Sequence, residues 1–192
     1  MEKMRRMLCA FLCAALAVLP GATGCSTENV SSENIRDAVL PPQSSAASAP
    51  MLPNATLHPG APNADVGQDN LQSTICARGF TRTIRPPESY TSSLKKQQLA
   101  DENLPGNSSD YEEDHLIPLE VGGDPQDPRN LWPEPWENKG SAFAAPGTGA
   151  ESKDKVEDET NRLVCSGRMS LSDAQTRIAS DWHQLGVDEG VL

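Results

Sequence analysis

The chain is poor in the residues that build large cores. Phe, Trp and Tyr together make up 4% of 192 residues, while Gly and Pro contribute 14 and 16, so only part of it can be packed around an apolar interior. No apolar run is long enough to span a bilayer: the stretch from Leu8 to Leu19 falls well short of the roughly 20 residues a spanning helix needs. Neither a Cys-x-x-Cys nor a paired-histidine motif occurs, and there are just 3 histidines, which removes the usual zinc frameworks. Positive charge is scarce as well. Lys plus Arg number 16 against 27 Asp plus Glu, for a formal net charge of -11, which argues against a broad basic surface that coats nucleic acid. No internal repeat is visible.

What is present divides the chain into three parts. Residues 1–24 place Lys3, Arg5 and Arg6 ahead of the apolar run and a small-residue patch, the order of a secretory signal. The stretch GATGC ending at Cys25 fits a bacterial lipoprotein cut with lipidation of Cys25, although Ala22 stands where Leu is usual; Ala22-Thr23-Gly24 also suits ordinary secretion. The expected location is therefore the cell envelope through a lipid on Cys25, or the exterior without it. Of five cysteines, Cys9 and Cys13 leave with the signal. If Cys25 carries lipid, Cys76 and Cys165 remain as a pair. Their disulfide would stabilise a small domain by on the order of 4 kcal/mol; two separate buried thiols are the alternative.

Residues 25–63 are rich in Ser, Ala, Pro and Asn and have no helix or strand period, so they read as a flexible tether, with His58 outside any site. Residues 64–192 read as the folded domain. Within it, residues 73–87 alternate as an extended segment stopped by Pro86-Pro87, and residues 89–100 form a short helix with Leu94 and Leu99 inward. Two short strands, DHLIPLE and NLWPEP, flank the Gly- and Pro-rich loop VGGDPQDPR. Residues 151–167 predict a helix ending at Gly167 with Val156, Thr160, Leu163 and Val164 on one face. A final helix opens with Ser170 and Asp173 as a cap and carries Leu171, Ala174, Ile178, Trp182 and Leu185 at helical spacing.

Strand, loop, strand and acidic helix is the order of a ββα unit, which can hold a divalent cation between hairpin and helix with a histidine aimed at the same place. Phosphodiester hydrolysis needs a base to deprotonate water, and imidazole titrates in the right range. It also needs a cation to stabilise charge on the phosphate and leaving oxygen. Asp114 and His115 are neighbours in an extended strand, so their side chains point to opposite faces unless the backbone bends.

The stretch EEDHLIPLEVGGDPQDPRNLW resembles the HNH endonuclease pattern, on the ordered set Asp114, His115, Pro118, Gly122, Gly123, Asn130 and Leu131. The downstream KDKVEDETNRLVCSGRMSLSDAQTRIASDW is similar to the C-terminal part of small exported bacterial HNH-like proteins, so the likeness covers about residues 73 to 182. The resemblance implies an α+β fold with a ββα-metal core and additional helices. It implies His115 as general base, Asp114 as a metal ligand and Asn130 as the residue that holds the loop and orients the histidine. The helix histidine that usually completes the metal site is missing. Asp154 and Glu157, one turn apart, are the expected replacements, and an oxygen-rich site suits magnesium or manganese better than zinc.

Arg78, Arg82, Arg85, Lys95 and Lys96 form a local basic excess, either a phosphate-guiding patch or a solubilising face. Trp132 and Trp136 are expected to pack in the core and at its rim, with stacking on bases as the alternative. The function expected from all this is an exported, metal-dependent endonuclease acting on DNA in preference to RNA. The alternative is a non-catalytic, surface-anchored binding module on a degenerate HNH scaffold.

Overall fold

The computed structural model describes residues 51–140 and 144–192. The expected signal peptide, Cys25 and the tether up to residue 50 lie outside the described residues. The fold is α+β. Among the described residues a two-stranded antiparallel sheet pairs β1 (Tyr111–His115) with β2 (Leu131–Pro135), and four helices accompany it: α1 (Phe80–Ile84), α2 (Glu88–Asp101), α3 (Ala150–Cys165) and α4 (Leu171–Asp188).

Helices α3 and α4 supply most of the core. On α3, Val156, Thr160, Leu163 and Val164 are buried, and the helix ends in a reversal at Gly167, where φ is 76° and the Arg168 N–H returns to the Leu163 carbonyl at 2.9 Å. Ser170 then caps α4 by accepting the Asp173 N–H at 3.1 Å, which satisfies one of the orphan donors of the first turn. The stripe Leu171, Ala174, Ile178, Trp182 and Leu185 is buried against α3 and against Ile117 and Val121 of the hairpin loop. One feature of α4 was not expected: it breaks at Asp181, whose backbone is extended at φ -165° and ψ 89°. The Asp181 carboxylate accepts the Gln184 N–H at 2.9 Å, so it serves as the cap of a restarted helix.

The disulfide between Cys76 and Cys165 is formed, with Cα atoms 5.6 Å apart, and ties the segment before α1 to the end of α3. This segment departs from the extended conformation expected for residues 73–87. A 3-10 turn at Leu71–Ser73 and the short α1 replace it, with Gly79 at φ 86° between them. Ile75 of that stretch faces the core together with Leu71, four residues earlier, a helical spacing.

The flexible tether ends earlier than residue 63. His58 and Ala61 are buried, and residues 60–63 run along the hairpin loop: the Gly60 N–H bonds the Arg129 carbonyl, the Asp124 N–H bonds the Ala61 carbonyl, and the Asn63 N–H bonds the Gly122 carbonyl. His58 is held from both sides, by Glu102 at 2.8 Å and the Pro128 carbonyl at 3.3 Å. Composition suggested a tether because these contacts are made by backbone and by one imidazole, not by an apolar stripe.

The hairpin also shifts. DHLIPLE was expected to be a strand, but pairing ends at His115, and the chain then turns through Pro118 into a 3-10 turn at Leu119–Val121. The Gly-Gly step has two separate causes. Gly122 sits at φ 74°, where L side chains are strained, and a Cβ on Gly123 would lie 1.7 Å from the Ile117 carbonyl oxygen. On β2, Pro133 and Pro135 face Glu113 and Tyr111 and bring no N–H to the sheet.

Because the disulfide closes a loop of 89 residues, replacing Cys76 and Cys165 together by Ser is expected to lower stability by about 4 kcal/mol. Urea denaturation of the double variant against the parent measures this.

Candidate metal and hydrolytic site

Alternation along β1 sorts its side chains onto two faces. Glu112 and Asp114 share one face with Glu134, which pairs directly with Glu112 across the hairpin; Tyr111, Glu113 and His115 take the other. Asp114 and His115 therefore diverge, as the extended backbone requires.

On the first face, one oxygen each from Glu112, Asp114 and Glu134 lies within 4.8 Å of the others. Glu134 is fully enclosed, and neither of its carboxylate oxygens has a hydrogen-bond donor. A buried carboxylate in that position must take up a proton or meet a cation. Burial pushes Glu134 well above the ordinary carboxyl range, and the nearby Lys153 charge only partly opposes it. Glu112 is pushed up to about 8, first by burial and then by the charges of Asp114 and Asp154. Three convergent oxygens, one of them orphaned and buried, fit a hard divalent cation such as magnesium or manganese.

The helix supplies a residue that the sequence did not point to. Lys153 of α3 is buried at 1% exposure, and its ammonium donates to Asp114 Oδ2 at 2.5 Å, to the His115 carbonyl at 3.0 Å and to Glu157. Burial alone would raise the Asp114 carboxyl, but the Lys153 charge and hydrogen bond outweigh it and hold Asp114 below the ordinary range. Burial would likewise lower Lys153, and Asp114, Glu157 and Glu134 together hold it well above its usual value. The expected ligand set of Asp114, Asp154 and Glu157 is not gathered at one point among the described residues. Asp154 is exposed at the edge of the cluster, near enough for Asp114 and Asp154 to act on each other's charge, and Glu157 meets Asp114 through the shared ammonium. The carboxylates that do converge on Asp114 come from the strands.

On the other face His115 is buried, with Nε2 3.1 Å from the Pro125 carbonyl. A carbonyl can only accept, so Nε2 carries the proton and Nδ1 the lone pair. Among the described residues Nδ1 has no hydrogen-bond partner. Burial lowers the His115 pKa, against the raising effect of Asp114 and the Pro125 bond, so the ring is neutral at and above neutral pH.

Asn130 makes no bond to His115. Its buried side chain accepts the Ile117 N–H at 2.9 Å and the Ala61 N–H at 3.2 Å, and donates to the carbonyls of Ile117 at 2.9 Å and Asp124 at 3.0 Å. It therefore fixes the loop whose Pro125 carbonyl holds the imidazole, a positioning role reached through the backbone. Of the five basic residues, Arg85 acts electrostatically on His115, and Lys95 donates to the Tyr111 carbonyl at 2.8 Å. Arg78, Arg82 and Lys96 are exposed and have no hydrogen bond or ion pair to the hairpin. Trp132 is buried and Trp136 half-buried, consistent with core and rim packing.

A cleft of about 340 Å³ runs beside β1, lined by Glu112, Glu113, Lys95, Tyr111, Trp136 and Lys139 among others. Glu112 belongs to both the cleft and the carboxylate triad, so the cleft is a route to it. Glu113, whose oxygens are also buried without donors, is pushed up to about 8 by burial, with Lys95 opposing.

Glu112 and Glu113 bind their protons more tightly folded than unfolded. The stabilisation from keeping them neutral is complete below the unfolded value near 4.5 and is lost as pH rises through about 8. In chelator, the melting temperature is therefore expected to fall between pH 5 and pH 8.5 by roughly 5 °C or more. Glu113→Gln should flatten that fall, as read by differential scanning fluorimetry.

Compared with known proteins, the chain matches no family model, no curated protein and no solved structure.

Proposed function

We propose that the chain is an exported, metal-assisted phosphodiester hydrolase of the HNH type, acting on DNA in preference to RNA and anchored to a membrane through lipid on Cys25. The observation that carries this reading is the state of His115: its Nε2 proton is committed to the Pro125 carbonyl, which leaves a neutral Nδ1 as a base at the end of β1, on the face opposite the acidic cluster. The order of the hairpin and α3, with Asp114 between them, supports a ββα core.

In this reading a divalent cation held by Asp114, Glu112 and Glu134 would supply charge stabilisation to the phosphate and the leaving oxygen. The protein's own residues do the rest. Nδ1 of His115 takes a proton from water, the resulting hydroxide oxygen bonds phosphorus, and the P–O bond to the leaving oxygen breaks with protonation of that oxygen by solvent. The Arg85 guanidinium, near enough to lower the His115 pKa, is placed to attract the phosphate, and the cleft along β1 opens onto Glu112 of the carboxylate group. Asn130 keeps the Pro125 carbonyl on the imidazole.

Lys153 favours a second reading. An ammonium already bonded to Asp114 is what a scaffold that has given up its metal would contain, and the protein would then be a non-catalytic surface binding module. Cleavage of supercoiled plasmid in magnesium, manganese or zinc separates the two. His115→Ala is expected to reduce cleavage by about 10²- to 10⁴-fold, with the melting temperature as a check on folding. Unchanged cleavage in that variant would sink the mechanism, and no cleavage by the parent in any of the three metals would favour the binding module.

A further inference from the structure

The geometry of α3 raises the question of why a lysine lies among carboxylates that could all be metal ligands. Glu151, Asp154 and Asp158 of the same helix are exposed, whereas Lys153 is enclosed. An ammonium has three hydrogens to donate. Here each has an acceptor, in Asp114 Oδ2, the His115 carbonyl and Glu157. Withdrawing Lys153 would leave the buried His115 carbonyl and two half-buried carboxylates without a donor. The ammonium is therefore a fixed part of the site.

Its position divides the carboxylates. Glu157 is consumed by the ammonium, and so is one oxygen of Asp114. Glu112, Glu134 and Asp114 remain to converge on one point, and Glu134 is the fully buried side chain among them with no donor. With Glu112, Asp114, Glu134 and Glu157 ionised around one ammonium, a single divalent ion leaves the cluster one negative charge from neutral, so charge permits one ion while the ligand count decides the number.

We infer that Lys153 is a built-in cation that withdraws Glu157 from the ligand set and restricts the site to one divalent ion, held by the strand carboxylates Glu112, Asp114 and Glu134. The inference rests on the metal-assisted reading above and deepens it: the place of a helix ligand, or of a second ion, is taken by a side chain. Lys153 acts through Asp114 and is a positioning residue.

Manganese titration of the chelator-stripped full chain, followed by loss of the free Mn(II) EPR signal, tests this without reading cleavage. One ion per chain is expected. Glu134→Gln should weaken binding about 10-fold or more, in line with what metal-site substitutions cost, while Glu157→Gln should change it by less than about 3-fold. In a Lys153→Met background, Glu157 is released, so either a second ion binds or Glu157→Gln now weakens binding as Glu134→Gln does. The two glutamine variants keep Lys153, so their comparison stands even if Lys153→Met does not fold. Two ions on the parent, equal damage from Glu157→Gln and Glu134→Gln, or no manganese binding would overturn the assignment. A one-ion protein that cleaves no nucleic acid would retire the hydrolase reading and leave this assignment in place.

Discussion

The side chain of Asn130 ties together three stretches of chain through four hydrogen bonds. Its oxygen accepts from Ile117 and Ala61, and its nitrogen donates to Ile117 and Asp124. In a two-stranded sheet, which is marginal by itself in water, the loop joining the strands would otherwise be set by its prolines and glycines alone. An amide that bonds both the N–H and the carbonyl of Ile117 imitates a paired strand residue. It continues the hairpin's hydrogen bonding beyond His115, where regular pairing stops. The absence of a side chain at Gly123 is part of the same arrangement, since Asn130 Nδ2 would lie 2.7 Å from a Cβ there. The position of the Pro125 carbonyl, and with it the proton on His115, follows from this node.

Electrostatics acts against the fold at the same place. Buried carboxylates on both faces of β1 are costly when ionised, and the protein offsets only part of that cost with Lys95 and Lys153. Sites that retain such cost generally do so because a ligand relieves it. The α3–α4 core, by contrast, is apolar, Ser170 caps α4, and the disulfide closes it.

Periodic features were legible in the sequence because they follow from backbone geometry. The α4 stripe, the end of α3 at Gly167, the glycine pair and the pairing of Cys76 with Cys165 all show this. Asn130 was legible as a loop holder, though not the path by which it reaches the histidine. Lys153 was hidden because Lys-Asp-Lys in an acidic helix reads as a solvated face, and its burial depends on which turn of α3 meets β1. Glu112 and Glu134 were hidden because their convergence depends on strand register, which is fixed only when His115 closes the strand instead of opening it. The N-terminal boundary was misread because residues 58–63 are held by backbone hydrogen bonds, which leave no compositional trace.

That boundary has a structural consequence. Residues 60–63 are bonded to the loop that runs from Gly122 to Asn130, and His58 is clamped between Glu102 and Pro128. Everything N-terminal in the chain is thus attached to the domain beside the carbonyl that holds His115, and not at the far side of the α3–α4 core. Following the chain inward from residue 58, the first contacts are the His58 clamp and the bonds of residues 60–63 to the loop that Asn130 holds, and the disulfide-closed core comes later. The placement of residues 60–63 and the setting of the imidazole thus share one loop, with Asn130 bonded to both Ala61 and Asp124.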